Sequence, residues 1–285
     1  MDTGVRLDQQ REGGADGEGR TDSKMHGSAE PPKQRFLGLD FNALTLDQAL
    51  DQCVAKGVAH DSFVYLVTPN VDHVQRLHRS GTDVWSLYQG AWLCLNDSQI
   101  IAKLARLRGL TLPAVPGSDL TAQLFLRGHV KPDDPVTLIG GTDAIAEALR
   151  IRFGLRQLSH YDPPMGFAQI PAEVEKCVQF ILDTPASFVF LAVGSPRQEI
   201  VADAVARTGK GMGVGFCIGA SFEFLTGAKA RAPLWMRKLS LEWLHRLLSD
   251  PRRMWRRYLV DAPRIFWVFF KTELLGRSQS RIDSG

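Results

Sequence analysis

From Phe36 onward, short apolar runs alternate with stretches of helical periodicity. The runs at 63–67 (FVYLV), 91–95 (AWLCL), 136–139 (VTLI), 188–193 (FVFLAV) and 212–217 (MGVGFC) are almost free of polar residues. Such continuity marks strands buried on both faces, as in a parallel sheet covered by helices. Helical patterns begin near Val71, Ser98, Thr142, Pro196 and Ser221, with further helices over 46–56, 119–126 and 171–182. The alternation predicts an α/β fold, a Rossmann-like, largely parallel sheet with flanking helices.

Four regions follow from this pattern: a disordered tail over 1–35, an α/β core over 36–228, a basic, Trp-rich helical appendage over 229–275 and a second tail over 276–285. The first tail is Gly-rich and has no apolar segment of the kind a secretory signal needs. No apolar run approaches the roughly 20 residues that span a bilayer, so the expectation is a cytoplasmic protein. The net charge of +3 is small, but Arg and Lys outnumber Asp and Glu after Lys229. Cys53, Cys94, Cys177 and Cys217 are far apart and each sits in an apolar run, which reads as four reduced core thiols rather than disulfides or a metal site.

The polar residues of interest fall directly after predicted strands. Thr68-Pro69-Asn70, Asn96-Asp97, Gly140-Gly141, Gly194 to Gln198 and Gly219 therefore share the carboxyl edge of a parallel sheet, where ligands bind and helix N-termini offer N–H groups to phosphate. Gly140-Gly141 is either a tight turn or a close approach to a diphosphate. Asp97 admits two readings, an N-cap of the following helix or a general base. Thr68, Asn70, Ser118, Asp119 and Gln198 are likewise cap or turn residues, or ligands of a sugar. Together with Gly194 they form a crevice rich in neutral hydrogen-bonding groups with one candidate base, which suits a carbohydrate better than a hydride acceptor. His160 to Phe167 reads as a Pro-containing loop. Metalloprotease, serine-nucleophile and P-loop motifs are absent from the sequence.

The segment from Arg231 to Tyr258, RAPLWMRKLSLEWLHRLLSDPRRMWRRY, interleaves arginine with tryptophan. Arg246, Arg253 and Arg256 would share one side of a continuous helix and could converge on a pyrophosphate. Asp250-Pro251, a cap followed by Pro at the first helical position, instead predicts the start of a second helix. Basic residues on an amphipathic helix fit a membrane-surface anchor. A helical pair packed on the core, or a homo-oligomer interface, is the structural alternative.

The ordered run TPN (68–70), ND (96–97), PGSDL (116–120), LIGG (138–141), GSPRQE (194–199), GVGFCIGASFEFLTG (213–227) and the basic C-terminal block resembles the WecG/TagA/CpsF glycosyltransferases, enzymes of bacterial surface-polysaccharide and teichoic-acid synthesis. The resemblance implies transfer of a sugar from a UDP-sugar, with inversion and without a metal or other cofactor, onto an undecaprenyl-diphosphate-linked saccharide at the cytoplasmic face of the inner membrane. It places Asp97 as the catalytic base, Thr68, Asn70 and Gln198 beside the sugar, and Arg246, Arg253 and Arg256 over the pyrophosphate. Many members carry Ala-Asp-Gly at the base, whereas this chain has Asn96-Asp97-Ser98, so the resemblance leaves the donor sugar open.

Two rival functions follow from parts of the same sequence. Arginines with interleaved aromatics suit a nucleic-acid-binding module, and a glycine pair after a strand suits a nicotinamide-dependent oxidoreductase, although the GxGxxG fingerprint is incomplete.

Overall fold

The computed structural model describes residues 33–59, 61–80, 82–229, 251–255 and 263–275, together with positions 233, 236, 244, 247 and 248. Its centre is a six-stranded parallel sheet of order β4-β3-β8-β7-β5-β6, built from β3 (Val64–Val67), β4 (Leu93–Cys94), β5 (Val136–Ile139), β6 (Leu158–Tyr161), β7 (Phe188–Leu191) and β8 (Val214–Cys217). Two strands add a small antiparallel hairpin, β1 (Lys33–Phe36) and β2 (Leu39–Asn42).

The period-2 alternation of strands decides which side chain meets which helix layer. On one face Tyr65, Val67, Ile139, Val189, Leu191 and Cys217 pack with Val74 and Leu77 of α2 (Val71–Arg79), Tyr88 of α3 (Thr82–Gln89), Ile101 and Leu104 of α4 (Gln99–Arg106), Val178 of α7 (Pro171–Asp183), and Val201 and Val205 of α8 (Arg197–Thr208). On the other, Leu66, Leu138, Phe188, Phe190, Val214 and Phe216 pack with Leu50 of α1 (Leu46–Ala59), Leu124 and Phe125 of α5 (Gly117–Leu126), Leu149 of α6 (Asp143–Phe153) and Phe222 of α9 (Ser221–Leu225). The result is a helix–sheet–helix sandwich, as the apolar strand runs predict. All four cysteines are buried free thiols in these layers, and desolvation pushes each thiol up, Cys177 to about 11.

Several elements go beyond the sequence expectations. β1 begins at Lys33, inside the segment read as a tail. α3 lies between the expected helix at Val71 and the strand near Ala91. β6 occupies the start of the stretch read as a loop at His160. β6 is an edge strand with only Leu158 buried, so it carries no apolar run to announce it.

The described residues 263–275 also pack on the core. Residues Pro251–Trp255 form helix α10; Asp250 lies outside the described residues. Helix α11 (Arg264–Phe269) continues into a π-helical segment, Phe270–Leu275. Ile265 is fully buried, and the Phe269 ring meets Phe36 edge-on at 6.0 Å. The buried Glu273 Oε1 accepts the backbone N–H of Leu37 at 2.8 Å, at a residue held at φ 51°. Phe266, Trp267, Phe270 and Leu274 remain exposed, with the Trp267 and Phe270 rings stacked at 6.0 Å.

Candidate active site

The parallel register puts the carboxyl ends of β4, β3, β8, β7 and β5 side by side in that order. The direction in which successive strands are added reverses across this edge: β3 leads outward to β4 and β5 leads outward to β6, with β7 and β8 between them. That is the placement at which open α/β sheets bind ligands. The motif residues of the core come to this edge.

The loops after β3 and β4 are joined directly. Leu95 N–H donates to Val67 O at 2.9 Å, and Asp97 N–H donates to Pro69 O at 3.1 Å. Asn96 is buried and fixes the turn: its Oδ1 accepts from Ser98 N–H at 2.9 Å, and its carbonyl accepts from Val115 N–H at 2.7 Å. Ser98, not Asp97, is the N-cap of α4, its hydroxyl accepting from Ile101 N–H at 3.3 Å. Asp97 is half-buried and stands one residue before the cap. The cap reading of Asp97 is thereby replaced, because a cap oxygen must belong to the residue whose carbonyl starts the helix.

Thr68 is buried at the end of β3 beside Gly117, where an added Cβ would lie 2.7 Å from Thr68 Oγ1. The TPN and PGSDL motifs are therefore in contact. Ser118 and Asp119 are half-buried in the first turn of α5, whose N-cap is Pro116, so they do not cap it. Asn70 is the N-cap of α2, with Oδ1 accepting from Asp72 N–H at 3.1 Å and His73 N–H at 3.3 Å.

Gly140 and Gly141 both have left-handed backbone, with φ of 82° and 78°. A Cβ on Gly140 would stand 2.4 Å from Val193 Cγ1, whereas one on Gly141 would meet only Ile145 at 3.7 Å. Gly140 is thus required by packing of β5 against the end of β7, and Gly141 by its φ. Thr142 caps α6. The His160 ring donates from Nε2 to the Gly140 carbonyl at 3.2 Å, and its Nδ1 lies 3.3 Å from Asp143 Oδ1.

The loop from Gly194 to Glu199 is held from three sides. Arg76 of α2 donates to Ser195 O at 3.1 Å and to Ser195 Oγ at 2.9 Å. Tyr88 OH lies 3.2 Å from Ser195 Oγ and 3.4 Å from Glu199 Oε1. Gln198 Nε2 donates to Glu199 Oε1 at 3.0 Å, and Gly219 N–H donates to Gln198 Oε1 at 2.9 Å. Burial pushes the Glu199 carboxyl above its ordinary range, against the hydrogen bonds from Gln198 and Ser195 and the charge of Arg76, all of which pull it down. The same burial, with the Glu199 charge, pushes the Tyr88 phenol up. Sequence reasoning placed Ser195 at this edge but missed Arg76 and Tyr88 as parts of it. Arg76 and Tyr88 lie on helices outside every motif, and only the tertiary fold brings them here.

Arg246 and Arg256 lie outside the described residues, as do Trp235 and Trp243; Arg253 falls within α10, but its side chain lies outside them too. Among the described residues, no three His, Cys, Asp or Glu side chains come together as a metal site, and no helix is long and apolar enough to cross a membrane.

Comparison with known proteins shows the family. Residues 34–279 match the model of the Glycosyl transferase WecG/TagA/CpsF family. Two Staphylococcus aureus proteins, from strains MW2 and NCTC 8325 / PS 47, are each 27% identical over 234 residues, covering 79% of this chain and 87% of the relative. Both carry the name N-acetylglucosaminyldiphosphoundecaprenol N-acetyl-beta-D-mannosaminyltransferase.

Proposed function

Since this chain belongs to the WecG/TagA/CpsF family of glycosyltransferases, we propose that it transfers a sugar from a UDP-sugar to a saccharide carried on undecaprenyl diphosphate, with inversion and without a metal. Of the functions the sequence suggests, family membership selects the transferase. The relatives' names supply the first pair to test: an N-acetylmannosamine donor and an N-acetylglucosamine-diphosphate-lipid acceptor.

The observation that carries the mechanism is the position of Asp97. Its backbone is fixed by Pro69 O, and the helix cap beside it is supplied by Ser98. In the proposed reaction the Asp97 carboxylate takes the proton of the acceptor hydroxyl as that oxygen attacks the anomeric carbon. The C–O bond to UDP breaks on the opposite face, and UDP leaves with the electron pair. A single carboxylate is enough for this displacement. Thr68, Asn70 and Gln198 orient the sugar, Asn70 through its Nδ2 group because Oδ1 caps α2. Ser118 and Asp119, in the first turn of α5 whose Gly117 adjoins Thr68, bind the substrate, and Gly140, Gly141 and Gly194 let backbone approach the diphosphate. Arg246, Arg253 and Arg256 neutralise its charge, the task a metal would otherwise perform.

The appendage over 229–275 is the membrane-facing part of this reading, which makes the enzyme peripheral to the membrane that holds its lipid acceptor. Support comes from the exposed Phe266, Trp267, Phe270 and Leu274, an aromatic and aliphatic surface on a helix docked by its opposite side. Acceptor-dependent UDP release in the presence of EDTA, lost in Asp97→Asn, tests the reading.

A further inference from the structure

The amide of Gln198 has a fixed polarity. Gly219 N–H can only donate, so the Gln198 atom 2.9 Å from it must be the oxygen. The nitrogen end then faces Glu199, whose Oε1 accepts from it at 3.0 Å. Both side chains are buried, Gln198 at 3% exposure and Glu199 at 1%, so losing either partner leaves a buried polar group to satisfy. The carboxyl is held in turn by longer contacts that converge on the same loop: Tyr88 OH at 3.4 Å from Oε1, and Ser195, to which Tyr88 OH and the Arg76 guanidinium both reach. Glu199 Oε2 has no hydrogen-bond partner among the described residues. A buried carboxyl with one unsatisfied oxygen is costly to keep for packing alone. Its one well-formed side-chain hydrogen bond, at Oε1, goes to Gln198.

We infer that Glu199 is a positioning residue: through Gln198 Nε2 it fixes which end of the Gln198 amide meets the sugar. The site then presents the second N–H of Nε2 and recognises a sugar oxygen that accepts a hydrogen bond, a hydroxyl or an acetamido carbonyl. The inference rests on the reading that Gln198 lies beside the sugar. Oε1 keeps a second lone pair, but the Nε2 end cannot be reversed into an acceptor while Gly219 and Glu199 hold the amide. Removing the acceptor at Glu199 leaves Gly219 as the amide's one remaining anchor among the contacts above and loosens its Nε2 end, and a Gln at 199 restores an acceptor oxygen in the same place.

The test combines a geometric and a kinetic readout. In protein labelled with 15N-glutamine, the side-chain signals of Gln198 are identified by their loss in Gln198→Ala. Hydrogen exchange of that amide is then followed in wild type, Glu199→Leu and Glu199→Gln, without added ligand. Leu fills the volume of Glu without an acceptor, and thermal melts confirm folding of each variant. Slow exchange in wild type and Glu199→Gln with fast exchange in Glu199→Leu is expected. Equal exchange in wild type and Glu199→Leu overturns the inference, and the wild-type measurement alone does so if both Gln198 protons exchange freely.

Turnover with the donor and acceptor pair named above gives the second readout. Glu199→Leu and Gln198→Ala are each expected to lower kcat about tenfold or more, and the double variant should be no worse than Gln198→Ala, because residues acting as one unit are not additive. Glu199→Gln should recover activity to within about threefold of wild type. Additive losses, or a Glu199→Gln variant as impaired as Glu199→Leu, contradict positioning. Normal turnover in Gln198→Ala would instead remove Gln198 from the sugar site and the functional half of the inference with it. Impaired Gln198→Ala alongside normal Glu199→Leu would leave Gln198 in place and refute Glu199 alone.

Discussion

The backbone N–H of Asp97 donates to the carbonyl oxygen of Pro69 at 3.1 Å. This one bond ties the loop after β4 to the loop after β3 and sets the candidate base beside Thr68 and Asn70, although Asp97 and Asn70 are far apart in sequence. The neighbouring Ser98 caps α4, so the Asp97 carboxyl is not the group that terminates the helix. In the proposed reaction, chemistry and capping are divided between adjacent residues.

That division predicts opposite phenotypes for the two positions. Asp97→Asn should lower kcat by about 10²–10⁴-fold, the usual contribution of a general base, with little change in melting temperature. Ser98→Ala should cost about 0.5–2 kcal/mol of stability through the lost cap and leave most of the turnover. Thermal melts and steady-state kinetics on both variants check the assignment; a large stability loss in Asp97→Asn would return it to a structural role.

Gly117→Ala tests the contact between the TPN and PGSDL motifs. The added methyl would fall 2.7 Å from Thr68 Oγ1, so Thr68 or α5 must move. Overpacking of this kind costs about 1–3 kcal/mol, and a shift of Thr68 should raise KM for the donor as well. Normal donor binding by calorimetry would show that Thr68 is not a contact residue.

Glu199 gives a pH dependence with a defined sign. Its carboxyl is raised in the folded protein by burial, opposed by Gln198, Ser195 and Arg76, while it adds its own charge to the fields at Tyr88 and Cys217. The folded state holds this proton to higher pH than the unfolded state does. The stability linked to it is therefore present below the ordinary carboxylate range and lost as pH rises through the folded value. Relative to Glu199→Gln, wild type should lose stability as pH increases from the ordinary carboxylate range upward. Urea denaturation of both proteins across that range measures the difference, and a difference independent of pH would contradict the assignment.

Much of the sheet was legible because its strands are buried on both faces and therefore read as unbroken apolar runs. The positions of Thr68, Asn96-Asp97, Gly140 and Gly194 followed from the rule that polar residues after parallel strands share an edge. What escaped the sequence has physical reasons. β6 is a short edge strand with one buried side chain, and the β1–β2 hairpin turns through a left-handed Leu37 rather than a recognisable turn residue at that position. Arg76 and Tyr88 reach the site by tertiary packing from positions whose local sequence looks like ordinary helix surface. Of the two readings of Ser118 and Asp119, capping falls away because α5 begins at Gly117 with Pro116 as its N-cap.

The docked C-terminal helix also decides how membrane contact should be probed. Deleting everything after Lys229 would uncover Phe36 and remove the Glu273 carboxylate from Leu37 N–H, confounding anchoring with folding. Phe266→Ser with Trp267→Ser alters only exposed side chains. This pair should weaken binding to anionic liposomes about tenfold or more, given the apolar area withdrawn from the interface, with an unchanged melting temperature. Ile265→Ala, at a fully buried position, should instead cost about 2–5 kcal/mol. Co-sedimentation and thermal melts separate the two, and unaltered liposome binding by the surface pair would remove this face from the anchor.

The most direct test of the account is UDP release from a panel of UDP-sugars, with a synthetic lipid-diphosphate-linked N-acetylglucosamine acceptor and EDTA present, in wild type and Asp97→Asn. Acceptor-dependent release from one donor, lost in the variant, is the predicted result. Release that survives in Asp97→Asn, or that requires a divalent metal, would contradict it.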